Sequence, residues 1–172
     1  MLEIYTDGAC SGNPGPAAIG VVIKKNGKVI KEFSRSIGQA TNNIAEYTAL
    51  IYALQEALAL KAGHIKIFTD SELLYNQLKG SYKVKNANIK PLFDQVKNLA
   101  KGFKKIEMTV VPREQNKDAD RLATQAIKKE SAPSSVKLSK GKTGETSTIF
   151  DEQAKMVAPS FNLGEESPSS GG

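Results

Sequence analysis

Tryptophan is absent from the 172 residues, and cysteine and histidine occur once each, as Cys10 and His64. A single cysteine excludes an intramolecular disulfide and a Cys-based zinc site, and it suits a reducing compartment. No apolar run approaches the ~20 residues of a membrane-spanning helix. The N-terminus reads as a strand rather than as a charged and apolar signal. These absences lead to the expectation of a soluble, cytoplasmic protein.

Charge is present, and it is unevenly placed. Residues 1–130 carry 20 Lys and Arg against 13 Asp and Glu, whereas residues 131–172 carry 4 against 5. The basic excess therefore belongs to the first segment, which is long enough to bury a core of its own. Beyond Glu130, Ser, Pro, Gly and Lys dominate with few large apolar residues. Such a composition does not repay its ordering entropy. The expected organisation is one domain over 1–130 followed by a disordered tail or linker over 131–172, with weak helical potential from Phe150 to Val157. A basic surface attracts polyanions such as a phosphate backbone.

Hydrophobic period gives the elements. Residues 2–7, 18–25 and 28–37 read as strands, the last two joined by a hairpin at Asn26-Gly27. Thr41 and Asn42 offer N-cap oxygens to an amphipathic helix running to about Leu60, with Ile44, Tyr47, Leu50, Ile51, Leu54 and Leu58 at helical spacing. Residues 64–69 read as a buried strand, and Ser71 caps a helix that Gly80 stops. Asn88 to Ala100 resumes helical spacing, with Pro91 tolerated only in its first turn. Ile106 to Val111 is a final strand, and Asn116 is placed to cap a last helix ending near Lys129. Strand, helix, strand order implies parallel pairing, so the expected fold is α/β: a mixed five-stranded sheet flanked by helices.

Four acids stand where such a sheet can gather them. Asp7 and Asp70 close hydrophobic strands, at the carboxyl edge where sites form in open α/β sheets. Glu46 lies in the early turns of the long helix and Asp120 near the start of the last one. Asp118 rivals Asp120, because both fall on the flanks of that helix's apolar face and spacing does not choose between them. Crowded carboxylates repel one another and raise their own pKa values unless cations join them. Oxygen ligands without His or Cys favour Mg²⁺ or Mn²⁺ over zinc. Two such ions, ~4 Å apart, activate a water and stabilise the leaving oxygen of an in-line displacement.

Four blocks, in order, carry a resemblance: Thr6 to Pro16 (TDGACSGNPGP), Thr41 to Glu46 (TNNIAE), Thr69-Asp70-Ser71, and Arg113 to Ala123 (REQNKDADRLA). Together they resemble the signature blocks of type 1 ribonuclease H, over essentially all of residues 1–130. The resemblance implies the ribonuclease H-like fold and an endonuclease that cuts the RNA strand of RNA/DNA hybrids, leaving 5′-phosphate and 3′-hydroxyl ends. It selects Asp120 over Asp118. It implies that Asp7 bridges two Mg²⁺ ions, with Mn²⁺ as a substitute, that Asp70 and Asp120 complete one site each, and that Glu46 supports the site. Cys10, Gly12 and Asn13 match positions that touch the RNA strand, and Asn42 and Asn43 match positions that read the minor groove. Recognition of RNA through its 2′-hydroxyl needs such close contacts. Thr41 and Asn86 match a phosphate pocket for the DNA strand, with Lys83, Lys85 and Lys90 as electrostatic support. Ser71 either binds a phosphate or caps its helix. A monomer with no membrane partner is implied.

The sequence departs from the family pattern twice. The Trp-rich and Lys-rich segment that forms a basic handle in some members is missing, so this chain resembles the branch lacking the handle. Lower hybrid affinity or greater dependence on Mn²⁺ is the expected consequence. The loop before Asp120 carries no His, and Arg113 or Glu114 is expected to take over its part in product release. Two alternatives remain open on sequence alone: a noncatalytic module that binds RNA/DNA hybrids, and a nuclease of the same fold that acts on another duplex.

Overall fold

The structure, a computed structural model, describes residues 1–131. The expected tail, and its weak helical segment, lie outside the described residues. Five strands run β1 (Leu2–Cys10), β2 (Gly15–Lys25), β3 (Lys28–Ala40), β4 (His64–Thr69) and β5 (Lys105–Val110), and four helices run α1 (Asn42–Ala59), α2 (Glu72–Lys79), α3 (Lys90–Ala100) and α4 (Lys117–Ser131). The sheet order is β3-β2-β1-β4-β5. β1 pairs antiparallel with β2 and parallel with β4, and β4 pairs parallel with β5. The mixed sheet is as the alternation of elements implied.

The first three strands are longer than their sequence patterns, which end at residues 7 and 37 and begin again only at 18. The extra pairings, Gly8 to Cys10 against Ala17 to Ile19 and Gly38 to Ala40 against Gly15 to Ala17, extend the hairpins toward a small second cluster of Ala17, Ala40 and Ala45. There, ladder hydrogen bonds hold the backbone, and the buried side chains are small alanines that make no clear alternating pattern.

Strand alternation sends one set of side chains to each face. Ile4, Ile19, Val21, Ile23, Ile65 and Ile67 pack with α1, Leu74 of α2 and Val96 of α3 in one apolar cluster. α1 is buried at every position from Tyr47 to Leu54, so it is not the one-sided helix that its spacing suggested. It lies between the sheet and α3, and small Ala49 and Ala53 let neighbours approach the remaining sides. The Tyr47 hydroxyl donates to Gln77 Oε1 at 2.7 Å and ties α1 to α2. On the other face α4 covers β2, with Ala119, Leu122 and Ala123 turned inward.

Two glycines set how closely helices approach the sheet. A Cβ on Gly8 would fall inside the backbone of Ala45 and Glu46, and one on Gly20 would fall against the Ala119 carbonyl. Only glycine permits these contacts. The first brings the start of α1 onto β1, and the second brings the start of α4 onto β2.

Candidate active site

The carboxyl ends of β1 and β4 and the early turns of α1 meet in a cleft of about 550 Å³. Asp7, Glu46 and Asp70 line it, and each offers a carboxylate oxygen within 4.8 Å of the other two. Asp7 is only 2 % exposed. Asp120 approaches from α4 closely enough to raise the pKa of the Asp7 carboxyl, but it lies outside the group of three whose oxygens come within 4.8 Å of one another. Asp118 points away, is exposed, and sits 3.9 Å from Arg121 on its own helix. The fold therefore separates two aspartates that helical spacing left equivalent.

Burial, followed by the Asp70 charge and then contact with Asp120, pushes the Asp7 carboxyl up to about 8. Burial first, and then the charges of Asp7 and Asp70, also raises Glu46 well above the usual carboxylate range, against a smaller lowering influence of the nearby Gly8 amide. Asp7 Oδ2 and Glu46 Oε1 are buried without a protein hydrogen-bond partner. Buried acceptors of this kind are costly unless a donor or cation satisfies them. The donors are all hard oxygens, so the set fits a divalent cation that prefers oxygen ligands.

The surrounding residues divide by what already occupies them. Thr41 Oγ1 accepts from the Ile44 amide at 3.2 Å and caps α1, and Ser71 Oγ accepts from the Leu74 amide at 3.1 Å and caps α2. Asn86 Oδ1 accepts from the Asn88 amide at 2.7 Å, which closes a turn before α3. The glycine-rich loop is fastened to α1: the Asn42 amide donates to Asn13 Oδ1 at 3.0 Å, and Cys10 Sγ donates to Asn42 Oδ1 at 3.2 Å. Gly12 takes φ +96° in the same loop. Asn42 and Asn43 line the cleft beside the acids. Lys83 and Lys85 are exposed, whereas Lys90 pairs with Asp94 at 2.7 Å.

Arg113 and Glu114 part company. Arg113 lines the cleft and reaches 3.8 Å from Asp120, while Glu114 lines a separate recess beside Tyr5 and Lys24. Asn116 also departs from expectation. It is not a helix cap: it lies in a 3₁₀ turn (Arg113–Asn116), is 1 % exposed, and donates from Nδ2 to the Thr6 carbonyl at 2.9 Å. A partner 110 residues away left no signal in the local sequence.

A family model described as reverse transcriptase-like matches residues 5–126. The RNase H1 of the archaeon Halobacterium salinarum superposes with a TM-score of 0.72 at 39 % identity, over 74 % of this chain and 97 % of that one. The chain belongs to the type 1 ribonuclease H family. A second member, LC11-RNase H1, solved in complex with an RNA/DNA hybrid, superposes with a TM-score of 0.73 at 39 % identity, over 77 % of this chain and all of that one. A bifunctional protein of Mycobacterium tuberculosis, Rv2228c, is 41 % identical over 128 residues, which is 73 % of this chain but 35 % of that protein. The chain thus spans about a third of the length of that relative. In this member of the ribonuclease H family, residues 80–89 join α2 to α3 without a helix, in keeping with the absence of a handle. No helix among the described residues is long and apolar enough to cross a membrane.

Proposed function

We propose that this protein hydrolyses the RNA strand of RNA/DNA hybrids as an endonuclease, acting as a monomer and leaving 5′-phosphate and 3′-hydroxyl ends. The observation that carries the reading is the cluster of Asp7, Glu46 and Asp70 within 4.8 Å, with two buried oxygens that lack protein partners, in a chain of this family. Asp7, Glu46, Asp70 and Asp120 hold two Mg²⁺ ions, with Mn²⁺ as a substitute. Bound there, the ions supply the positive charge that an in-line phosphoryl displacement requires.

The chain's own residues bind and orient the hybrid. Cys10, Gly12 and Asn13 approach the RNA strand from the glycine-rich loop, and Asn42 and Asn43 read the minor groove. The Asn13 and Cys10 links to Asn42 hold the two elements as one surface, so the scissile phosphate is positioned against the acids. Ser71, Thr41 and Asn86 present backbone and side-chain donors to phosphates beyond their capping duties, with Lys83 and Lys85 free to steer the DNA strand. Arg113, poised at the cleft beside Asp120, assists release of the cleaved end. Residues 1–130 carry this activity, and 131–172 are a tail dispensable for it.

The test is cleavage of a labelled RNA/DNA hybrid beside single-stranded RNA, double-stranded RNA and DNA duplex, in Mg²⁺ and in Mn²⁺, with wild type and Asp70→Asn. Cleavage of the hybrid alone, abolished in the variant, is expected. Binding without cleavage in either metal would leave a hybrid-binding module, and cleavage of another duplex would replace the substrate.

A further inference from the structure

β1 and β4 pair from Leu2 and Ile65 up to Tyr5 and Phe68, and the ladder stops there. Both chains continue past that last rung, β1 through Thr6 to Asp7 and β4 through Thr69 to Asp70. Thr6 and Asp7 stay paired with β2, and Thr69 with β5, but past Tyr5 and Phe68 no β1–β4 pairing joins the two segments that carry these acids.

Asn116 occupies this gap. Its Nδ2 donates to the Thr6 carbonyl at 2.9 Å and lies 3.5 Å from Asp70 Oδ2, the long end of a hydrogen bond. One amide nitrogen has a hydrogen for each. A carbonyl only accepts, so contact with Thr6 fixes which side-chain atom is the nitrogen. The other atom, Oδ1, is buried without a protein partner. An amide half-satisfied at 1 % exposure is costly. An apolar side chain would fill the same space more cheaply if volume were all that was needed.

We propose that Asn116 is a positioning residue that replaces the missing rung between β1 and β4 and sets Asp70 at a fixed separation from Asp7. Through it, the 3₁₀ turn before α4 is locked to the same point. The segment that delivers Asp120 is thereby tied to the segments that carry Asp7 and Asp70. A donor beside the Asp70 carboxylate would hold it in place in the cleft, where Asp70 is one of the residues that would hold a divalent cation. The inference rests on the proposed metal site, and its test separates the two.

Mn²⁺ binding to the full chain is measured by calorimetry without nucleic acid, for wild type, Asn116→Ala and Asn116→Ser. Val96→Ala, a cavity where α3 packs on the core, serves as a control for lost stability, and all are read well below the lowest melting temperature. Steady-state cleavage of a hybrid is measured in parallel. Both Asn116 variants are expected to bind Mn²⁺ at least fivefold more weakly and to lose kcat at least tenfold, with KM for the hybrid within twofold. Val96→Ala is expected to lose melting temperature while keeping binding and kcat. The serine variant keeps a small donor for Thr6 and guards against collapse of the alanine variant, yet it is too short to reach both partners. Unchanged Mn²⁺ affinity in both Asn116 variants, with wild type binding normally, would overturn the positioning role. Absence of Mn²⁺ binding in wild type would instead overturn the metal site itself.

Discussion

Gly20 of β2 and Ala119 of α4 meet backbone to backbone, with no room for a Cβ on the glycine. That contact fixes the height of α4 above the sheet and, one residue later, the position of Asp120. Gly20→Ala is expected to push the start of α4 outward. The overpacking should cost about 1–3 kcal/mol, and displacement of Asp120 should lower kcat more than that loss of stability explains. Thermal melts and hybrid cleavage on the same preparation check this. A variant that is less stable but fully active would show that Asp120 does not depend on this contact.

The acid cluster makes stability depend on pH in the metal-free protein. Asp7 lies at about 8 against an ordinary value of 3.8, and Glu46 is raised as well. A carboxyl raised on folding contributes stability that is fully present below its unfolded value and is lost as pH climbs through the folded value. In EDTA, the melting temperature is therefore expected to fall between about pH 5 and pH 9. Glu107, held low first by its hydrogen bond to His64, acts in a more acid range and does not interfere. Mg²⁺ should restore most stability at the alkaline end, because protons and cations compete for the same oxygens. A melting temperature in EDTA that rises across this range would contradict the burial of these groups.

Asn13→Ala removes the acceptor that fastens the glycine-rich loop to the Asn42 amide. Loss of one hydrogen bond, worth about 1 kcal/mol, should raise KM for the hybrid by roughly fivefold. Metal affinity should change little, since among the described residues Asn13 makes no hydrogen bond to any of the acids. Equal loss of Mn²⁺ binding would show that the loop also shapes the acid cluster.

Lys83 and Lys85 are exposed in the connection before α3, and no ion pair holds them among the described residues. If they track phosphates, each change to alanine should weaken hybrid binding regardless of sequence and reduce the slope of log K against log salt by ~0.9. Binding titrations at several salt concentrations read this directly. Unchanged slopes would make them ordinary solvated charges.

Truncation after Glu130 is expected to leave melting temperature and cleavage close to those of the full chain. A drop of several degrees would show that residues 131–172 pack on the domain.

Most elements are legible in the sequence because each is announced locally. The β4 pattern at 64–69 matches the strand His64–Thr69, and Ser71 and Gly80 bracket α2 where their capping chemistry puts them. Strand ends were less legible: the β1–β2 hairpin runs on to Cys10 through small and polar residues whose pairing leaves no hydrophobic trace. α1 looked amphipathic because spacing counts only large apolar residues, whereas its alanines are buried too.

The sequence alone marked the hard carboxylate ligands: Asp70 at the end of β4 and Glu46 in the early turns of α1, as expected, while Asp7 turned out to lie inside a β1 that runs on to Cys10. Residue type and hydrophobic period are local properties, and they need no folded chain to be read. Tertiary structure decided what depends on distant atoms. It turned Asp120 to the cluster and Asp118 to solvent, sent Arg113 to the cleft and Glu114 elsewhere, and made Asn116 a buried donor to Thr6 rather than a cap. The seating of α1 and α4 on the sheet at Gly8 and Gly20, where a Cβ would clash with the helix backbone, sets where Glu46 and Asp120 stand. The raised carboxyls of Asp7 and Glu46 have the same origin, since only packing removes the water that would hold them at ordinary values.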